Sequence, residues 1–316
     1  MNNVSFIIPN YNGERTISKT IESIKNQKYK DKIEIIIIDD KSKDKSIKII
    51  SRYKGIKLIK NERNLGLAKS LNKAIKISKY NLICIIWCDC VLESNNWLYV
   101  MVKTYNSNEN IGAISSKLII PKEYWDKFSF YDKVILTKDY EISLNNKQKE
   151  GRPTLFNKKV LNKVGLYDNE TFRIAGEDTD LIWKIKEKGY KIITAKVNIL
   201  HLHGFYNLSF KEQLLYKALP LAEAIGVNFV RHGKKSLSNK YWNPISLTVI
   251  YLLLIIPYLN IFSLIIITLL TFNYTLKGLK YSKNIKLIFI PFFKIFKDIL
   301  TIIGFWKGFI TEKQEF

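Results

Sequence analysis

"VSFIIPNYNGERTISKTIESI", residues 4–24, is the stretch that decides the fold. An apolar run of strand character, Val4 to Ile8, breaks at Pro9-Asn10-Tyr11-Asn12. Ile17, Ile21 and Ile24 then recur at helical spacing. The same unit returns twice downstream, and a fourth strand follows. "IEIIII" (33–38) precedes "SKDKSIKIISRY", and "IKLI" (56–59) precedes "LGLAKSLNKAIKIS", where Leu67, Leu71 and Ile75 fall four apart; "LICII" (82–86) follows. Strands that are apolar on both faces and alternate with helices predict a parallel, helix-covered sheet. Ligands of such sheets bind beyond the carboxyl ends of the strands. The residues there are Pro9-Asn10-Tyr11-Asn12 after the first strand, Asp39-Asp40 after the second and Asp89 after the fourth. No GxGxxG or GxxxxGK[ST] occurs, which removes the main support for a dinucleotide-binding Rossmann domain or a P-loop.

The 316 residues suffice for one large domain with an accessory region. The only cysteines, Cys84, Cys88 and Cys90, lie too close together for a disulfide framework, and no second Cys/His pair stands at zinc spacing. By strand alternation Cys88 and Cys90 are expected on one face and Asp89 on the other. A formal net charge of +23 suits nucleic acid, an anionic membrane surface or an anionic substrate, and also a Lys- and Ile-rich background composition. The lysines form no stripe and no nucleic-acid module is present, so no nucleic-acid partner is expected. "VSFII" has no basic region before it and is too short for a signal core, so no signal peptide is expected; the cysteine usage fits a cytoplasmic, reducing compartment.

Residues 244–276 carry no charge before Lys277. They exceed one membrane span and fall short of two full ones. Pro257 and Asn260 mark a turn, and basic residues flank both ends, so a short hairpin with both flanks cytoplasmic is expected. The apolar stretch 285–310 is interrupted by lysines and Asp298 and reads as interfacial. In the preceding segment Ser209 and Glu212 have capping-box spacing, and Pro220 is expected to end or kink a helix.

Five segments then carry a family resemblance: "VSFIIPNYNGERTISKTIESI", "IIIIDDKSKD", "NERNLGLAKSLNKAI", "IIWCDCVL" and "FRIAGEDTDLIWKIKEKGYKI". In order and rough spacing they resemble the family 2 glycosyltransferases over residues 3–205. The resemblance implies an α/β fold of the GT-A type, Rossmann-like, with a mostly parallel sheet and helices on both faces. An all-α, membrane-associated C-terminal region would follow. The expected divisions are 1–208 catalytic, 209–243 juxtamembrane helices, and 244–316 membrane hairpin with an interfacial helix.

The resemblance also implies roles. Pro9, Asn10, Tyr11, Asn12, Glu14, Asp39, Asp40, Asn64, Gly66 and Lys69 would hold the donor nucleotide. The alternative for Asp40, with Asp44, is a cap on the following helix. Ala68 and Asn72 match a segment packed beneath the donor. Asp89 matches the last acid of the metal-binding D-x-D, with Trp87 in place of the first; its alternative is a turn cap. A hard cation, Mg²⁺ or Mn²⁺, prefers such oxygens. His201 in "HLHG" is the second expected ligand, with His203 as fallback. In "GEDTD" Asp178 would be the general base beside Glu177, while Asp180 suits the helix dipole. Lys184 stands where the family has arginine.

The expected activity is inverting transfer of one sugar from a nucleotide-diphosphosugar to a lipid-linked or glycan acceptor. A single addition is expected because the Q-x-x-R-W motif of polymerising members is missing. The expected location is the cell membrane, with membrane lipid as partner and the catalytic domain on the cytoplasmic side. Two rivals are a sugar nucleotidyltransferase, which wants a Gly-rich phosphate loop, and a non-catalytic membrane scaffold that kept the fold, which Trp87 favours.

Overall fold

The computed structural model describes residues 2–107, 109–130, 132–134, 136, 140–141, 152–173, 175–202, 214–237, 244–281 and 285–314. The chain divides into two compact units. The first comprises Met1–Asp126, Tyr140–Asn169 and Asp180–Phe205; the second comprises Lys127–Asp139, Glu170–Thr179 and Tyr206–Phe316.

The first unit is built on one eight-stranded sheet. Its strands are β1 (Val4–Asn10), β2 (Ile33–Asp39), β3 (Ile56–Lys60), β4 (Leu82–Ile85), β5 (Cys90–Leu92), β6 (Ile111–Ile119), β7 (Arg152–Asn157) and β8 (Lys191–His201), in the order β3-β2-β1-β4-β7-β6-β8-β5. β1 to β4 pair in parallel, as do β6 and β8; β7 and β5 run antiparallel to their neighbours. Side chains of period two account for the isoleucine runs. Phe6, Ile8, Ile35 and Ile37 pack on one face with Ile17, Ile21 and Ile24 of α1 (Ile17–Lys25). Ile7, Ile36 and Ile38 pack on the other, with Leu71 and Ile75 of α3 (Leu67–Ile77). A short α2 (Ser46–Ile50) lies between these helices in the chain. Each fully buried isoleucine contributes about 1.5–3 kcal/mol, so strands covered on both faces carry apolar residues throughout.

The sheet has to curl. Flat, it would put β5 four strand spacings from β4, about 19 Å. The chain from Ile85 to Cys90 reaches at most about 18 Å even when extended, and part of it is a turn. Curling brings the short β5 against α1, where Leu92 N donates to Ser23 Oγ at 3.2 Å.

α4 (Trp97–Asn106), α5 (Lys122–Trp125) and α6 (Lys158–Lys163) lie between α3 and the acidic motif. Within the first unit, Asn72 of α3 clamps a neighbouring loop through both amide atoms. Its Nδ2 donates to Tyr167 O at 2.8 Å and its Oδ1 accepts from Tyr167 N at 3.1 Å. α7 (Glu177–Glu187) follows; its buried Asp180 pairs with Lys184 one turn on, at 3.0 Å.

The second unit is helical, with α8 (Leu219–His232), α9 (Pro244–Leu252), α10 (Leu259–Tyr281) and α11 (Ile290–Thr311). The helical path changes from π to α at Pro220, which occupies the first turn of α8, directly after a π-helical turn at Leu214–Ala218. Ser209 and Glu212 lie outside the described residues. The expected turn within 244–276 falls at residues 256–258, where Tyr258 takes φ +68°. Its arms are unequal: nine residues in α9, about 14 Å, against 23 in α10, about 35 Å. Leu259–Leu276 is long and apolar enough to cross a membrane and is mostly exposed.

α8 and α11 cross at backbone distance. A Cβ at Gly304 would lie 2.7 Å from Leu219 O, one at Gly226 would run into Phe305 O, and one at Gly308 into Glu223 O. Backbone cannot step aside as a side-chain tip can. Gly308→Ala is therefore expected to destabilise the second unit by about 3 kcal/mol or more, read as a lowered unfolding temperature.

Candidate active site

The carboxyl ends of the first strands converge in register, with Asn10 opposite Asp39 and Asp39 opposite Lys60. Asn10 Nδ2 donates to Asp39 Oδ1 at 2.7 Å and to Ser42 Oγ at 3.1 Å. Ser42 N donates to Asp39 Oδ2 at 3.0 Å, and Ser42 Oγ accepts from Asn12 N at 2.9 Å. The left-handed turn at Asn12 (φ +54°) is tied down in turn, since Asn12 Oδ1 accepts from Lys43 N at 2.8 Å. Ser42, absent from the sequence-derived set, thus locks the loops after β1 and β2 together. Glu14 N donates to Asp44 at 2.8 Å and Glu14 Oε2 accepts from Lys45 N at 2.9 Å, which extends the same interlock.

Asp40 faces a different task from Asp39. Its Oδ1 accepts from Asn61 Nδ2 at 2.9 Å and Leu65 N at 2.8 Å, and its Oδ2 accepts from Gly66 N at 2.9 Å. It holds the loop that turns at Gly66 (φ +83°) into α3. Among the described residues it makes no bond to α2; Asp44 accepts from Ser46 N there, at 3.0 Å. Asn61, just past β3, is the site residue that reading strand ends should also have flagged. Asp40→Ala leaves two loop N–H groups and the Asn61 amide without this acceptor. It is expected to cost about 1–3 kcal/mol of stability, measured by chemical denaturation. Of the remaining positions, Pro9 is buried in β1, Tyr11 is half exposed, and Asn64 and Lys69 are exposed around the start of α3.

Asp89 occupies a turn between β4 and β5, and its backbone O accepts from Leu202 N at 2.8 Å. Its carboxylate is buried, and Oδ2 lies 3.1 Å from His201 Nε2. His201 ends β8, directly across from Cys90 on β5. The expectation that both cysteines face away from Asp89 fails for Cys90. Because residues 88 and 89 form a turn, strand alternation does not carry through them, and Cys90 Sγ comes within 3.8 Å of Asp89 Oδ1. Asp89, Cys90 and His201 offer ligand atoms all within 4.8 Å of one another. A buried carboxylate oxygen and an imidazole nitrogen at this separation fit a divalent cation, with ligand oxygens completing its shell. Cys88 is a poor thiolate ligand: burial first, then the Asp89 charge, push its thiol up to about 12. His203 lies outside the described residues.

The Asp89 turn abuts the nucleotide loops. A Cβ at Gly13 would sit 3.2 Å from Cys88 Sγ and would run into Asn10 Oδ1, and Thr20 Oγ1 donates to Cys88 O at 2.9 Å. Beside these loops Arg15, Lys45, Lys48 and Arg52 line a cavity of about 530 Å³ with Glu14. The structure therefore brings Asn10, Asp39 and Ser42 into one network and Asp89, Cys90 and His201 into one cluster. Glu177 and Asp178 belong to the second unit, where Asp178 Oδ1 accepts from Thr179 N at 2.8 Å.

Comparison with known proteins agrees with this architecture. A mannosyltransferase from Pyrobaculum calidifontis, solved in complex with GDP-Man and Mn²⁺, superposes with a TM-score of 0.58 at 17% identity, covering 96% of this chain and 86% of that one. The fold is thus of the GT-A type. A poly-beta-1,6-N-acetyl-D-glucosamine synthase from Staphylococcus epidermidis is 29% identical over 202 residues, 60% of this chain and 47% of the relative. The Staphylococcus aureus (strain COL) protein of the same name is 27% identical over 203 residues. The chain spans about half the length of these relatives. The profile of Glycosyl transferase family 2 matches residues 5–167, more than half of the sequence, and the chain belongs to that family.

Proposed function

We propose that the chain is an inverting glycosyltransferase. It moves a sugar from a nucleotide-diphosphosugar, with Mg²⁺ or Mn²⁺ held by Asp89 and His201, to an acceptor presented at a membrane. The observation that carries this reading is the approach of Asp89 to His201 across 112 residues of chain, against the loops that carry Asn10, Asp39 and Ser42.

In this reading Asp39 accepts hydrogen bonds from the nucleotide, and the Asn10 and Ser42 contacts fix its carboxylate before the donor arrives. Asp40 shapes the pocket by holding loop 64–66. Arg15, Lys45, Lys48 and Arg52, which have no ion-pair partner among the described residues, give this edge a field that attracts the donor's diphosphate. When bound, the cation supplies positive charge to the leaving diphosphate. Asp178 takes the proton of the acceptor hydroxyl, a role resting on its place in the GEDTD motif.

The apolar stretch Leu259–Leu276 supports a membrane location and, with it, a lipid-linked acceptor such as a polyprenyl phosphate or a glycolipid. Basic clusters flanking residues 244–276 support a cytoplasmic catalytic domain. A second reading, a polymer of N-acetylglucosamine as product, is favoured by the similarity to the staphylococcal poly-beta-1,6-N-acetyl-D-glucosamine synthases. Incubating full-length protein with labelled nucleotide sugars, with a lipid extract or a soluble glycan, separates these. Label in the organic phase as a single-sugar product supports the first reading, and a long aqueous polymer supports the second. No transfer and no donor hydrolysis would favour the non-catalytic scaffold.

A further inference from the structure

α11 has four charged residues, Lys294, Lys297, Asp298 and Lys307, which by composition make it an interfacial helix. Their placement says otherwise. Lys294 Nζ lies 2.5 Å from Asp298 Oδ1, with side chains only 14% and 7% exposed. Tyr251 of α9 donates to Asp298 Oδ2 at 3.4 Å, and the ring of Tyr274 of α10 lies 5.9 Å from Lys294 Nζ and 5.6 Å from Lys297 Nζ. Lys307 Nζ pairs at 3.1 Å with Glu223 of α8, whose side chain is fully buried. Each described charge on α11 is therefore turned toward another helix of the unit.

The side away from Lys294, Lys297 and Asp298 is apolar. Phe292, Phe296, Ile299, Ile303 and Ile310 are exposed, the first two 61% and 55%. They fall at steps of four, three, four and seven, one continuous stripe along a helix. α10 lies against α11, with Gly278 packed on Ile290, and presents Ile261, Phe262, Ile265, Leu269 and Phe272 outward. Lys307 borders the α11 stripe between Ile303 and Ile310, where its ion pair with Glu223 leaves the side chain 31% exposed. The 22 residues of α11 measure about 33 Å, close to the roughly 30 Å of a hydrocarbon core.

We propose that α11 is a second lipid-facing helix, embedded with α10 as a pair, and that the Lys294–Asp298 ion pair is sealed between the helices, away from the headgroups. The partner of the exposed stripe is the acyl region of a bilayer. A water-exposed stripe of this size would favour aggregation, whereas buried, paired charges are compatible with a membrane interior. This inference rests on the membrane location proposed above.

The test uses full-length protein in vesicles of phosphatidylcholine and phosphatidylglycerol. An environment-sensitive fluorophore is attached singly through Ile265→Cys, Phe296→Cys, Ile303→Cys or Lys235→Cys; the three native cysteines are buried. Labels at 265, 296 and 303 should be quenched several-fold more by acyl-chain spin-labelled lipid than by aqueous iodide, with the reverse at 235. Aqueous quenching at 296 and 303, with 265 in lipid, overturns the inference and leaves the membrane location standing. Aqueous quenching at all four overturns both. Independently, Lys294→Met and Asp298→Leu should each lower the unfolding temperature in vesicles more than the double variant does. Silent single variants overturn the sealed pair.

Discussion

Asp89→Ala is expected to abolish cation-dependent donor binding and to lower sugar transfer by about a thousandfold. That factor follows if the cation contributes several kcal/mol of charge stabilisation at the diphosphate and each 1.4 kcal/mol is tenfold. Among the described residues Asp89 is the one carboxylate in its cluster, and no other carboxylate there stands in for its oxygens when it is removed. The backbone bond from Leu202 N to Asp89 O survives the substitution, which keeps β5 and β8 in place. Cys90→Ser is the matched control. It keeps a small side chain at the same buried position, and a hard cation has little use for the sulfur. It should retain Mn²⁺-dependent binding within about threefold, the scale of one weak ligand contact. Loss of activity in Cys90→Ser with retention in Asp89→Ala would show that sulfur, not the carboxylate, is the working ligand.

Asp178→Asn is the second large effect. A base acts on the acceptor, so the substitution should lower kcat by about 10²–10⁴ while donor KM stays nearly unchanged. Asparagine keeps an oxygen to accept from Thr179 N, so the start of α7 should persist and the loss should read as chemistry, not unfolding. The measurement is a steady-state comparison on a hydroxyl acceptor, with a thermal scan to confirm the fold. With a phosphate acceptor, which needs little deprotonation, the loss should shrink. Near-normal turnover on a hydroxyl acceptor would remove Asp178 from the mechanism.

The first half of the sheet was legible because each parallel strand is covered on both faces and so appears as a run of apolar residues: β1, β2 and β4 read directly from 4–8, 33–38 and 82–86. β6 and β8 were not. Gly112, Ser115 and Ser116 break the apolar run in β6, and β8 mixes lysine and asparagine into its eleven residues. Asp89 was legible as an acid after a strand. Its partner was legible only through the resemblance, because the approach of His201 depends on β5 pairing with β8, a long-range event that no local periodicity encodes. The contact of Cys90 with Asp89 was misread because a turn, not a strand, carries residues 88 and 89. The division of labour between Asp39 and Asp40 was hidden for a similar reason. Adjacent carboxylates point to different loops, one to Ser42 and one to residues 64–66, and only the folded loops say which. In the second unit a count of charges on α11 does not reveal that Lys294 pairs with Asp298 and Lys307 with Glu223, contacts that only the packed helices make.

The most direct test is release or transfer of labelled sugar from a panel of nucleotide-diphosphosugars by full-length protein in membranes, with Mn²⁺ and with a chelator, for the native chain and Asp89→Ala. The account predicts turnover of at least one donor, dependent on Mn²⁺ and lost in Asp89→Ala. Turnover that is unchanged by chelation and unchanged in Asp89→Ala would contradict it.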